Sequence, residues 1–278
     1  MKPFLLTTFA LLAFAFNSIL CRMALRGDEA DAAGFTGVRL VSGAIALIVI
    51  SHFFGKDKGK MKRGSWPSAF FLFAYAACFS FAYLGLTAGT GALILFGSVQ
   101  MTMIAVTILC GERPTVLEWL GLVIALAGLV YLVFPGLASP PLVSSLIMAA
   151  AGMAWAGYTL RGKGSSDPLA DTTGNFVRSL PFAAVIALVY LPNLQLSTRG
   201  IVLAVLSGAI TSGFGYAIWY AALKYHTSTR AAVLQLAVPV IAAWFGILML
   251  GEIATLRLGI AAALILGGIS LTIFSKKI

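Results

Sequence analysis

Charge is what this 278-residue chain has least of: 10% of its residues are Asp, Glu, Lys or Arg, against about 25% in soluble domains. Nine residues are acidic, and none of them lies in the middle of an apolar stretch. That leaves no relay of buried carboxylates, so any proton coupling would fall to a carboxylate at a helix end, Glu112, Glu118 or Glu252. The two histidines, His52 and His226, lie near the ends of apolar stretches with no carboxylate cluster beside them. An intramembrane enzyme needs a nucleophile–base pair or a metal cluster, and the chain is not expected to be one. Cys21, Cys78 and Cys110 are scattered over separate stretches, which gives neither a metal-ligand spacing nor a disulfide framework. A glycine-rich phosphate loop is missing too, which removes direct drive by ATP. No metal and no cofactor is expected.

What fills the chain is apolar. Sixty per cent of residues are hydrophobic and the mean hydropathy is +0.99. Ten apolar stretches, at about 4–23, 33–54, 66–87, 91–110, 115–134, 142–160, 173–191, 200–223, 230–250 and 256–274, each have about the 20 residues a helix needs to cross a bilayer. The linkers leave no room for a soluble domain. The first stretch follows Lys2 like a signal peptide, but it runs straight into Arg22 and nine more follow, so it reads as a retained helix. The expected fold class is therefore an all-α polytopic membrane protein of ten transmembrane helices.

The net charge of +10 does not point to nucleic acid, because Lys and Arg gather at helix ends on one side. Residues 56–63 hold Lys56, Lys58, Lys60, Lys62 and Arg63 against one acid, Asp57. The positive-inside rule makes that linker cytoplasmic. Both termini then also lie inside, and the tally is 13 basic residues inside against four outside, Arg22, Arg26, Arg199 and Arg257. The expected partners are the lipid bilayer of the cytoplasmic (inner) membrane and a small-molecule substrate, not nucleic acid. Whether the protein is a monomer or a homodimer stays open at this point.

The two halves can be superposed. Gly111-Glu112 follows the fourth stretch and Gly251-Glu252 the ninth; Thr115 matches Thr255 and Gly128 matches Gly268. Val38-Arg39 answers Val177-Arg178, and Leu25-Arg26-Gly27 answers Leu160-Arg161-Gly162. Five helices is an odd number, so the second copy enters the membrane inverted relative to the first. Two inverted five-helix repeats are expected, 1–137 and 138–278, an organisation typical of secondary transporters with the substrate site between the repeats near the midplane.

These residues also carry a family resemblance. Leu234-Gln235-Leu236-Ala237-Val238-Pro239-Val240 with Leu250-Gly251-Glu252, Gly111-Glu112-Arg113-Pro114-Thr115 with Trp119-Leu120-Gly121, and Trp155-Ala156-Gly157-Tyr158 resemble the ten-helix EamA branch of the drug/metabolite transporter superfamily. The family commonly has an acidic residue before the ninth-helix proline, where this chain has Ala237-Val238. The resemblance implies export of small metabolites, amino acids among them, or of drugs.

Polar residues in hydrocarbon call for a reason. Asn17, Gln100 and Gln235 either line a cavity or hold helices together. Arg39 and Arg178, about two turns into the second and seventh helices, are candidate contacts for an anion; snorkelling to the interface or a pair with Asp31 or Asp171 is the alternative. Tyr75, Phe79 and Tyr83 recur every four residues on one face of the third helix, and Ser212, Tyr216 and Tyr220, beside Trp219, do so in the eighth. With Trp155 and Tyr158 they are candidates to wall an aromatic site, the alternative being bulk that faces lipid. Gly213, Ala217 and Ala221 form a small-residue seam for close packing. Pro181 and Pro239 fall inside apolar stretches and are candidate hinges. The leading expectation is a secondary transporter that exports small metabolites such as amino acids by alternating access. A multidrug or organic-cation exporter is the alternative, and an intramembrane enzyme the remote one.

Overall fold

The computed structural model describes residues 2–54, 64–111, 115–136, 139–162, 165–223, 225–226 and 234–275. The basic linker at 56–63, Glu112 to Pro114, the boundary at 137–138, the expected start of the ninth helix at Arg230 and the Lys276-Lys277 tail lie outside these residues.

Among the described residues the chain is a bundle of ten apolar helices. The first seven are α1 (Lys2–Arg26), α2 (Ala32–Phe54), α3 (Trp66–Ala82), α4 (Ala88–Leu109), α5 (Val116–Val133), α6 (Leu142–Gly162) and α7 (Pro168–Val189). The eighth, α8, is continuous in three parts: α-helical over Thr198–Val205, π-helical over Leu206–Phe214 and α-helical again over Gly215–Leu223. The last two are α9 (Ala237–Leu250) and α10 (Leu256–Ser275). Eight of these are long and apolar enough to cross a membrane, while α3 and α9 are shorter. Apolar side chains such as Val41, Ile45, Val123, Val185 and Leu248 are exposed on the outer faces of the bundle, where only hydrocarbon would cover them.

The helix starts follow local chemistry. The Ser65 side chain accepts from the Ser68 backbone, with Pro67 in the first turn of α3. Thr115 and Glu118 form the expected reciprocal capping box at α5, Thr115 N donating to Glu118 Oε2 at 2.6 Å. Several boundaries differ from the sequence reading. The third stretch ends at Ala82 and the fourth starts at Ala88, because Thr87 is an N-cap, its hydroxyl accepting from Thr90 N. The seventh begins at Pro168 because Asp167 caps it. The ninth breaks at Leu236, so Pro239 stands in the first turn of α9 and not in mid-span. A proline there needs no intrahelical donor, and it leaves the helix axis undisturbed. Pro181 does lie inside continuous α7.

The packing pairs are symmetric under exchange of the two halves. Helix α5 packs along α10, α2 along α7 and α4 against α9, each against its own repeat equivalent. Between halves, α3 packs on α6 as α8 does on α1; α4 on α6 as α9 on α1; α2 on α8 as α7 on α3. The halves therefore interleave, and the middle of the bundle is lined by helices from both.

The helix pair α2–α8 is in backbone contact. A Cβ on Gly208 would overlap Arg39 O and the Ser42 hydroxyl, and one on Gly43 would meet the Phe176 ring at 2.6 Å and Gly208 O at 3.1 Å. This is the close approach that small residues allow between membrane helices. The π-helical part of α8 lies at this crossing, and π-bulges are often found at functional sites.

Candidate functional site

At the centre lies a cavity of about 20 Å³, room for a water or so. Six rings wall it, five of them Phe14 from α1, Tyr75 and Phe79 from α3, Trp155 from α6 and Tyr216 from α8. Leu95 and Phe96 of α4 close one side, and Asn17 and Thr211 supply the polar atoms. The rings form a chain of tilted and edge contacts. Tyr75 lies 4.8 Å from Trp155 and 5.5 Å from Phe79, Trp155 lies 5.1 Å from Tyr216, and Tyr216 lies 5.9 Å from Phe14. These separations are those of favourable aromatic pairs.

The polar groups form a second, connected layer. Asn17 Oδ1 accepts from the Ser207 hydroxyl at 2.6 Å and the Thr211 hydroxyl at 3.2 Å, both on the π-helical segment. Asn17 Nδ2 donates to the Tyr75 hydroxyl at 3.4 Å. Arg39 is 2% exposed; its Nε donates to Ser212 Oγ at 3.3 Å and its Nη2 to the Tyr75 hydroxyl at 3.2 Å. The guanidinium carbon sits 4.9 Å from the Phe79 ring centre and 5.3 Å from that of Tyr75.

Of the sequence candidates, Asn17, Tyr75, Phe79, Trp155 and Tyr216 come together on this cavity. Tyr83, Tyr158 and Trp219 are buried beside it: Tyr83 stacks edge-on to Phe79 at 4.7 Å, Tyr158 lies 5.5 Å from Trp155, and Trp219 rests on Phe14 at 5.7 Å. None of these aromatics faces lipid. Tyr220 and Gln235 are half-buried and Gln100 is buried in α4, and none of the three lines the cavity. The paired arginines part company. Arg39 is enclosed behind Tyr75 and Phe79 and neither snorkels nor meets Asp31, whereas Arg178 is half-buried and donates to Gly174 O on its own helix at 3.2 Å.

Sequence reasoning missed Phe14, Leu95, Phe96 and Thr211. Phe14 was within reach, since it precedes Asn17 by one helical turn on the same face. Thr211 and Ser207 gave no signal, because a hydroxyl in an apolar run reads as a group that bonds its own helix. Thr211 does bond Ser207 O, at 2.8 Å, and reaches Asn17 as well.

A second, open hollow of about 410 Å³ lies at the bundle end opposite the termini. Its walls include Arg22 and Arg26 at the end of α1, Thr87 and Thr90 at the start of α4, and Glu252 after α9. The four basic residues that stood against the 13 are all engaged. Arg22 Nη1 donates to Tyr83 O at 2.8 Å, Arg26 Nη1 to Leu250 O at 2.5 Å, and Arg257 to Tyr131 O and Phe134 O. Each of these caps the carbonyl end of a helix, where a cation is favoured. Arg199 pairs with Glu29 at 3.5 Å.

Comparison with known proteins agrees with this architecture. The chain is 48% identical to an uncharacterized protein of Pseudomonas aeruginosa, over 97% of this chain and 94% of that one. It is 27% identical to an uncharacterized transporter of Archaeoglobus fulgidus, over 76% and 80% of the two chains, and 22% identical to the uncharacterized transporter YoaV of Bacillus subtilis, over 87% of each. A crystal structure described only as that of a protein superposes with a TM-score of 0.68 at 18% identity, covering 97% of this chain and 96% of that one, which shows a shared fold. The model of the EamA-like transporter family matches residues 1–134 and again 142–274. With both halves matched, this integral membrane protein belongs to the EamA-like transporter family.

Proposed function

We propose that the protein is a secondary transporter that exports small metabolites such as amino acids, aromatic ones among them, by alternating access. The observation that carries the reading is the central cavity. Its walls come from α1, α3 and α4 of one half and α6 and α8 of the other, so a relative movement of the halves, 1–137 and 138–278, changes its access. The open hollow lies on one side of it, with Tyr83 and Arg22 at the partition, and the small central volume fits a site closed around no substrate. Rocking of the halves supplies the motion, with Pro181 in α7 and the π-helical part of α8 as the places where backbone hydrogen bonds are already irregular. The charge tally supports a place in the cytoplasmic membrane with both termini inside.

An aromatic cage of six rings also suits an organic cation, which is the second reading. A buried guanidinium 4.9 Å from one wall of that cage argues against it, because like charges repel strongly where water is absent.

The test is counterflow in proteoliposomes preloaded with single amino acids or with tetraphenylphosphonium. Exchange of labelled phenylalanine or leucine is expected. Exchange of the phosphonium alone would replace this reading with the second, and no exchange of any solute by folded protein would end both.

A further inference from the structure

Arg39 is a buried charge to which the described residues supply no counter-ion. It is 2% exposed, and a guanidinium keeps its proton in a protein. Among the described residues no carboxylate pairs with it, whereas Arg22 faces Glu252 and Arg199 faces Glu29. Its two hydrogen bonds, to Ser212 and Tyr75, are long at 3.3 and 3.2 Å, and Nη1 is buried with no partner. A leucine or methionine would fill the space beside Tyr75 and Phe79 without the cost of a buried, half-satisfied charge, giving up only the cation–π contacts and two long hydrogen bonds.

The neighbouring atoms are donors as well. The Tyr75 hydroxyl accepts from Arg39 and from Asn17 and lies within hydrogen-bond reach of the Tyr216 hydroxyl, so the two phenols share a proton that an incoming anion can take as a donor. Asn17 Oδ1, the carbonyl acceptor nearest the rings, is taken by Ser207 and Thr211. The centre of the bundle is thus rich in hydrogen-bond donors, without a carboxylate and positive by one charge, and it adjoins a six-ring aromatic wall.

Resting on the transporter reading, we infer that Arg39 is the carboxylate receptor of the substrate site and that the transported solute is a monocarboxylate with an apolar body. A carboxylate has four lone-pair sites, and the fork of Nη1 and Nη2 matches two of them. Binding brings it against Arg39 in place of the Tyr75 hydroxyl, which then donates to the same anion. The Trp155, Tyr216 and Phe14 rings take the apolar body. A solute carrying only a positive charge finds no acid here and faces Arg39.

Three solutes that share a phenyl body and differ in charge test this: hydrocinnamate, L-phenylalanine and phenethylamine. Each is titrated by calorimetry against the purified full chain in nanodiscs and assayed by counterflow in proteoliposomes, for wild type, Arg39→Gln and Arg39→Lys. Hydrocinnamate and phenylalanine are expected to bind, and phenethylamine at least about tenfold more weakly. Arg39→Gln should lose about tenfold or more in affinity for hydrocinnamate, and Arg39→Lys should restore part of it. If Arg39→Gln does not fold, the charge series on wild type decides alone. Phenethylamine bound as tightly as hydrocinnamate, no binding of any of the three, or an unchanged hydrocinnamate affinity in folded Arg39→Gln would overturn the inference. Binding of hydrocinnamate without counterflow keeps the receptor and removes the transport reading; counterflow of phenethylamine unaffected by Arg39→Gln does the reverse.

Discussion

Arg22 and Glu252 face each other at the mouth of the open hollow, Nε to Oε1 at 3.7 Å, and between them they hold both ends of the turn that joins α3 to α4. Arg22 Nη1 donates to the carbonyls of Tyr83 and Leu84, just past the end of α3. Glu252 accepts from Ala88 N at the first turn of α4 at 2.9 Å, where a carboxylate also meets the positive end of the helix dipole. The pair is too far apart for a hydrogen bond. It acts as the closing side of a ring of contacts that ties α1, α3, α4 and the α9–α10 loop together.

This arrangement sets a pH dependence. Burial is the largest influence on the Glu252 carboxyl and pushes it above its usual value of 4.5, while the Ala88 amide, Arg22 and Arg26 pull it back only in part. A carboxyl raised in the folded state contributes stability below pH 4.5, and that contribution is lost as pH rises through the folded value. Glu252→Gln, which keeps the acceptor for Ala88, is therefore expected to gain thermal stability relative to wild type as pH rises from below 4.5 towards neutral. A difference in melting temperature that stays flat, or moves the other way, contradicts the assignment.

The α2–α8 crossing predicts a contrast between two glycines. Gly208→Ala puts a methyl into Arg39 O and Ser42, and overpacking of this kind costs about 1–3 kcal/mol. Gly37→Ala, on the same helix as Arg39, meets nothing within 4 Å and should be neutral or stabilising by up to about 1 kcal/mol. Thermal unfolding of the purified variants separates them. Equal melting temperatures would show that the close contact does not exist.

Phe79→Ala should leave the protein in the membrane but reduce transport by about tenfold or more, with Phe79→Leu in between. The ring is a wall of the central cavity and one of the two against which the Arg39 guanidinium lies. Quantitative flux, normalised to the amount of protein in the membrane, is the measurement. A Phe79→Ala protein that transports at the wild-type rate removes the cavity from the mechanism.

Much of this was legible in the sequence alone, for reasons specific to membranes. Helix number and span follow from hydrocarbon thickness, and the capping box at Thr115–Glu118 is a local signal that tertiary packing did not disturb. The aromatic faces at Tyr75–Phe79 and at Tyr216 were readable because a tyrosine in lipid lacks a partner. What escaped was long-range. The matching places of Arg39 and Arg178 in the repeat implied matching roles, yet only Arg39 is enclosed, because Gly43 and Gly208 bring α8 over it. The π-helical segment has no sequence signature of its own. Gln100 and Gln235 are as polar as Asn17, but their positions point away from the cavity, and depth along a helix alone does not tell those directions apart.

The arrangement of the helix ends predicts accessibility to reagents. Cys110 ends α4 and is exposed, on the bundle face that carries the termini, while Ser139 lies on the wall of the open hollow. With termini inside, a membrane-impermeant maleimide should label Ser139→Cys in intact cells and reach Cys110 only after the membrane is opened. Cys110 labelled in intact cells would invert the assignment. A cysteine at Lys58, in the basic linker, should behave as Cys110 does.

Coupling is the last consequence. Each described boundary acid is already engaged in holding the fold. Glu118 closes the α5 capping box, and Glu252 holds the α4 start and Arg22. The central cavity has no carboxylate on its wall, so it offers no buried acid to titrate during transport. Exchange and downhill flux should therefore dominate, and an imposed pH step across proteoliposomes should drive little accumulation. Glu118→Gln keeps the reciprocal capping bond, because glutamine serves at that position too, and should leave the response to the step unaltered. Among the described residues Glu252 is the exception the geometry allows, because it lines the open hollow and burial raises its carboxyl above the usual value. Counterflow with and without the step, in wild type, Glu118→Gln and Glu252→Gln, separates these outcomes. Strong uphill transport that survives in Glu118→Gln and disappears in Glu252→Gln would show that the hollow's acid couples a proton to transport, and that a cavity without carboxylates does not make a transporter independent of protons.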